Sequence, residues 1–213
     1  MPVKRLALLG LCGWALFRFV IAPPAEVVAT AIAEHHPLPE AAPLLTVADP
    51  PRQVDIETAP RRLPVDGLGV EVVPRATFEL TARVLSSRAY RLGRDARLSP
   101  LDLALGWGPM AEEGVIEALE IAQRHRWYYW RSESRPPIPA RAIARHSSNI
   151  HMLAGNEPTM AALKRLEAGD RVTLRGHLVD IEGDDWTWRT SMRRTDTGQG
   201  ACEIMLVDSL SVH

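Results

Sequence analysis

The sequence predicts an α+β fold: a small, mostly antiparallel curled sheet or OB-like partial barrel with two or three helices, placed after an N-terminal transmembrane helix and a proline-rich linker. Three observations carry this expectation. Residues 6–22 form an apolar run in which Arg18 is the single charge. Seven prolines (Pro37, Pro39, Pro43, Pro50, Pro51, Pro60 and Pro64) fall in the next stretch. Beyond residue 70, two-residue hydrophobic alternation is interleaved with short helical spacings. The expected division is a transmembrane anchor over 1–24, a proline-rich stalk over 25–69 and a folded domain over 70–213.

Seventeen helical residues at about 1.5 Å each reach about 25 Å, the short end of a bilayer core. Arg18 lies near the end of the run, where its stem carries the charge out to the headgroups. Lys4 and Arg5 precede the run. Positive flanks stay cytoplasmic, so the expected address is single-pass in the inner (cytoplasmic) membrane with a periplasmic C-terminal domain. Residues 6–22 would contact that membrane directly. A cleaved leader fits less well, because Pro23 follows the small-residue site at Ala22. A lipoprotein signal wants a small residue before its cysteine, and Leu11 precedes Cys12. Residues 25–36 extend the anchor helix, and the prolines then remove donors and forbid regular structure, giving a semi-rigid spacer.

Charge narrows the partners. The chain holds 25 Lys+Arg against 26 Asp+Glu. Without Lys4, Arg5 and Arg18 the balance is 22 against 26, or −4. That excludes a non-specific nucleic-acid binder, which needs a basic surface to displace counterions. The cysteines are Cys12 and Cys202. One lies in the apolar run, so no disulfide within the chain is expected, and Cys202 reads as a small buried apolar residue. No cofactor and no metal site are expected.

The folded part opens with Phe78, Leu80, Ala82 and Val84 alternating with polar residues, a half-buried strand. Ser99-Pro100-Leu101-Asp102 reads as a helix or turn start. The stripe Val115, Ile116, Leu119 and Ala122 predicts a helix over 110–124. Trp127–Trp130 reads as a short aromatic strand, and Pro139 suits the first turn of a helix ending at Arg145. Asn156 has the chemistry of an N-cap, with Pro158 in the first turn and Gly169 as the closing αL residue. Val172, Leu174 and Leu178 alternate, and then Val179 and Ile181 take over. That slip beside Gly176 predicts a bulge or sharp bend. Gly183-Asp184-Asp185 turns into Trp186-Thr187-Trp188, and a last strand covers 202–210. The stretch 169–179 is what suggests the OB-like barrel.

Candidate chemistry lies in three places. His146, Asn149 and His151 form the densest polar cluster, suited to a base and its orienting partner. Their spacing of five does not place both histidines on one helix face. Asp196-Thr197-Gly198 spells the aspartic-protease triplet, but Arg193, Arg194 and Thr195 precede it where apolar residues are needed. Trp107, Trp130, Trp186 and Trp188 offer flat faces on which sugar rings stack, or else belong to the core, where aromatics bury the most area.

The segments 103–110, 126–130, 146–152 and 196–203 together resemble an uncharacterised group of bacterial membrane-associated proteins. The likeness spans about residues 76–208. It implies a bacterial, Gram-negative source and brings no activity or catalytic residues with it. The function expected from the whole chain is a non-enzymatic binding or assembly module of the bacterial envelope, anchored in the membrane and facing the periplasm, with an envelope protein or glycan as partner. The alternatives are a hydrolase of an envelope polymer using His146, Asn149, His151 or Asp196, and a glycan-binding domain using the tryptophans.

Overall fold

Twenty consecutive residues, Val70–Ala89, form one strand around which the rest of the sheet assembles. The computed structural model describes residues 31–39, 43–57, 63–65, 68–194, 196, 198 and 200–213. In chain order the strands are β1 (Arg52–Asp55), β2 (Leu63–Val65), β3 (Val70–Ala89), β4 (Leu101–Gly106), β5 (Glu120–Arg124), β6 (Trp127–Arg131), β7 (Ser147–Ala154), β8 (Arg171–Gly183), β9 (Thr187–Trp188) and β10 (Glu203–Val212). The helices are short: α1 (Arg94–Leu98), α2 (Glu113–Glu117), α3 (Ala140–Arg145) and α4 (Glu157–Leu163).

This is a mixed α+β domain in which an eight-stranded, mostly antiparallel sheet closes in a ring that is not a regular barrel. The closure comes from β3. Its second half pairs with β4 and its first half with β8. The circuit runs β3, β4, β7, β10, β8 and back to β3, with β7 and β10 parallel. The separate hairpin β5–β6 stands beside it.

Alternation decides what faces inward. Phe78, Leu80, Leu103, Leu105, Ile150, Met152, Leu174 and Met205 fill the ring. A second cluster gathers Ile32, Leu63, Val72, Leu98, Val179, Ile181, Ile204 and Leu206, with Trp186 and Trp188 packed against it. The slip between Leu178 and Val179 is thus a change of cluster. Leu178 belongs to the ring interior and Val179 to the second cluster. No irregularity in β8 is needed, because 172, 174 and 178 differ in parity from 179 and 181. The bulges lie in its partners, at Pro74/Ala76 of β3 and Val207/Ser209 of β10. Gly176 has a different role from the one its place beside the slip suggested. A Cβ there would sit 2.0 Å from the Leu206 carbonyl oxygen, so the two backbones touch.

The expected helix over 110–124 is not formed. Only Glu113–Glu117 is α-helical, behind a 3₁₀ turn at Gly108–Ala111, and Glu120–Arg124 is a strand. Gly114 weakens helix propagation, and Ile121 packs against a third cluster beneath the hairpin while Gln123 is buried. Leu101 and Asp102 begin β4 and not a helix. Asn156 does cap α4, its Oδ1 accepting from Thr159 N–H. That helix ends at Leu163. Gly169 instead closes the turn before β8, with φ +101 and its N–H donating to Val84 C=O.

The proline-rich segment is no free spacer where it is described. β1 and β2 both pair with β3, Arg52 and Arg175 donate to the Pro43 and Pro39 carbonyls, and Ile32 is fully buried. Proline is compatible with an edge strand, where its missing N–H faces away from the ladder. The run 6–22 lies outside the described residues. Among those described, no helix is long and apolar enough to cross a membrane.

Candidate functional site: a polar staple and the aromatic cleft beside it

The ring face opposite the interior of β4 and β7 carries Asp102, Asn149 and His151, which the register brings together. Asp102 lies directly opposite His151, and Ala104 opposite Asn149. Asp102 is fully buried and His151 is 3% exposed, so each must find a partner inside the protein. His151 Nδ1 lies 2.9 Å from Asp102 Oδ1, and Arg126 donates to the same oxygen at 2.8 Å.

Arg126 comes from the hairpin. His125 (φ 53) and Arg126 (φ 67) form its two-residue turn, both in the left-handed region that non-glycine residues enter at a cost. The surroundings hold Arg126 of that turn through its N–H, its guanidinium and its carbonyl. Arg126 N–H donates to Tyr90 Oη, its guanidinium to Ser99 C=O, and its carbonyl accepts from Asn149 Nδ2. Gln123 Nε2 donates to Asn149 Oδ1 at 2.7 Å. The guanidinium also lies 3.9 Å from the Tyr90 ring centroid, and Trp188 covers His151 at 4.7 Å between centroids. The network staples the hairpin across β4 and β7.

Beside the staple a cleft of about 180 Å³ opens between β6 and the chain entering β10. Trp127, Tyr128 and Trp130 form its aromatic wall; Asn149, Asp196 and Cys202 lie among its polar and small residues. Tyr128 Oη and Ser147 Oγ are hydrogen-bonded at 2.8 Å, and burial raises the phenol. Asp196 accepts from Ser191 Oγ at 2.8 Å. Burial, helped by the neighbouring Glu203 and Asp102 charges, pushes the Cys202 thiol up to about 12. It is therefore a neutral thiol near pH 7 and no nucleophile. Just inside the ring, Glu203 accepts from Ser148 and Arg194. Burial nonetheless holds it up at about 7.

The residues singled out by sequence separate here. Asn149, Asp196 and Trp130 line the cleft. His151 lies in the staple and points to Asp102. His146 closes α3, its Nδ1 2.8 Å from the Ala142 carbonyl and its ring against Gly108. The two histidines and a carboxylate thus do not meet in one cleft. Trp107 is 3% exposed and packs in the ring core, presenting no face to a ligand. Trp186 is half-buried under the Arg94 guanidinium at 3.9 Å, and Trp188 under His151. Asp102 and Arg126 were not anticipated. The usable signal was one acid in the outward phase of the apolar strand Leu101-Asp102-Leu103-Ala104-Leu105. Among the described residues, no group of three or more His, Cys, Asp or Glu side chains is placed to hold a metal ion. No family model, no curated protein and no solved structure matches this chain.

Proposed function

We propose that this chain is a membrane-anchored, non-enzymatic binding module of the bacterial envelope, and that it takes one ring of a glycan in the cleft walled by Trp127, Tyr128 and Trp130. The observation that carries the reading is that wall. Three aromatic residues line one cleft together with the polar residues Ser147, Asn149 and Asp196. Aromatic faces with polar edges suit a saccharide, which offers C–H groups to the ring and hydroxyls to the rim. At about 180 Å³ the cleft is smaller than the ~300–1,000 Å³ of drug-sized sites. It would seat one sugar and leave the rest of a polymer outside.

The fold type supports the same reading. The order β3, β4, β7, β10, β8, with β7 and β10 parallel and α4 between β7 and β8, is the order expected of an OB-type ring and supports reading the domain as one. Such rings take ligands on their second and third strands and on the loops after the first and fourth. In this chain the second and third strands are β4 and β7. Their polar face is closed by the stapled hairpin, so the ligand surface moves outward to the hairpin's own aromatics and the loop before β10. A hydrolase reading has less support. His151 is buried, Cys202 is a neutral thiol and His146 is turned to a backbone carbonyl.

The apolar run, the positive flank before it and the likeness to bacterial membrane-associated proteins support the inner-membrane address. The docked segment 31–39 revises the geometry: the module would sit close to the bilayer, not out on a stalk. The reading is tested by titrating the full chain with neutral, N-acetylated and sulfated trisaccharides while following tryptophan emission. Saturable quenching that is abolished by Trp127→Ala or Trp130→Ala and kept in Trp186→Ala is the expected result. Equal quenching by all sugars, unchanged in those variants, refutes it.

A further inference from the structure

We infer that the β3–β4 loop, residues 90–100, is a second contact with the membrane that docks onto an anionic lipid surface; the inference rests on the membrane address proposed above. Arg91, Arg94 and Arg97 lie in the loop and Arg88 just before it in β3; the ten residues from Arg88 to Arg97 hold one acid, Asp95, a local balance of +3 in a chain whose total is −1. All four arginines are exposed; Arg97 also has a partner within the domain, so Arg88, Arg91 and Arg94 carry the argument. Leu92, at the loop's tip, is 91% exposed, the largest exposure of any large hydrophobic side chain described. Gly93 beside it takes φ +93, which turns the chain there. Leu92 is thus an apolar side chain held outward with Arg91 beside it and Arg94 two residues on in sequence. It is matched by a headgroup layer that offers negative charge above hydrocarbon.

Chain continuity puts the loop in reach. Ala31 is nine residues beyond Ala22, where the apolar run ends. Nine residues span about 30 Å at most in any conformation. Ile32, one residue on, is buried in the same cluster as Leu98, the last residue of α1, with Trp186 packed against it. The leash from the membrane therefore ends at the foot of the basic loop. Arg94 lies over Trp186 at 3.9 Å, which holds the loop against the body of the domain. Asp184 and Asp185, before Trp186, offset part of the charge. Binding should therefore be salt-sensitive and moderate. Each arginine removed should weaken docking about fivefold, and two together about 25-fold.

The test uses the full chain carrying Cys12→Ser and Leu92→Cys, labelled at position 92 with an environment-sensitive fluorophore. Cys202→Ser is added, since Cys202 is a free thiol lining the cleft, so that position 92 alone carries the label. The chain is reconstituted into vesicles of phosphatidylcholine alone, or of phosphatidylcholine and phosphatidylglycerol in equal parts. A blue shift on the anionic vesicles that salt reverses, and that Arg91→Gln with Arg94→Gln removes, supports loop docking. Emission that stays that of water on both vesicles overturns it. Flotation after alkaline washing reads the anchor separately. If the chain floats while the probe stays in water, the anchor stands and the docking inference falls. If the washed chain does not float, the anchor reading fails. Docking then has to appear as salt-reversible binding to anionic vesicles from solution, and its absence there also overturns the inference.

Discussion

Glu203→Gln isolates the contribution of a buried acid to the pH dependence of stability. Glu203 is 2% exposed at one end of the ring, between Ser148 and Arg194. Burial lifts its carboxyl from 4.5 to about 7 even with the Arg194 guanidinium beside it. Between those values the native state binds more protons than the unfolded chain. Stability contributed through this group is therefore full below the unfolded value and falls as pH rises, until the folded carboxyl is also ionised. A displacement from 4.5 to about 7, at 1.36 kcal/mol for each tenfold change in proton affinity, amounts to about 3 kcal/mol. From about pH 5 to about pH 8 the native protein should lose about 2.5 kcal/mol that the glutamine variant keeps. The assay is urea unfolding of both proteins in detergent micelles across that range, comparing slopes so that any constant cost of the substitution cancels. Parallel curves would refute the reasoning, because they would mean that Glu203 is ionised in the native state throughout. A variant losing more stability than the native protein on going to high pH would refute it with the opposite sign.

Three further outcomes follow from the same geometry. Asp102→Asn removes the charge shared by Arg126 and His151, and breaking a buried pair from one side should cost about 3 kcal/mol; hydrogen exchange should show the loss first in residues 120–131. Gly176→Ala forces a methyl group to 2.0 Å from the Leu206 carbonyl oxygen, and should lower stability by about 3 kcal/mol in a thermal melt; an unchanged midpoint would mean that β8 and β10 are further apart than described. Cys202, with its thiol pushed up to about 12, should resist a disulfide reagent at about pH 8 in the folded chain and react on unfolding.

Much of the ring was legible in the sequence, because alternation reports which face a strand buries. Phe78, Leu80, Ala82 and Val84 were read as a strand, and all four lie in the ring core. The Asn156 cap was legible for a local reason, since its side chain bonds three residues on. The helix expected over 110–124 failed because Ile121 and Tyr128 pack by tertiary contact on the third cluster, which a local stripe cannot report. The slip at Leu178 marks the place of a bulge, opposite Leu178 and Val179, although the extra residue belongs to β3. It records two clusters on opposite faces of one strand, and only the register with β3 and β10 shows that the bulges are theirs. For the site, the local polar cluster pointed at β7 but not at its partners. Asp102 reaches His151 across 49 residues and Arg126 enters from a separate hairpin. Pairings that distant leave no spacing signature. Of the four tryptophans singled out, Trp130 alone lines the cleft. Aromatic content tells how much area is buried and not which face stays open.

The most direct test of binding at the cleft is the indole N–H signal of each tryptophan during an oligosaccharide titration by NMR. Trp127 and Trp130 should shift together and saturate with one affinity, while Trp107 in the ring core and Trp186 and Trp188 on the second cluster stay in place. Shifts confined to Trp186 and Trp188, or no shift at any indole across the trisaccharides, would contradict the assignment of the cleft as the ligand site.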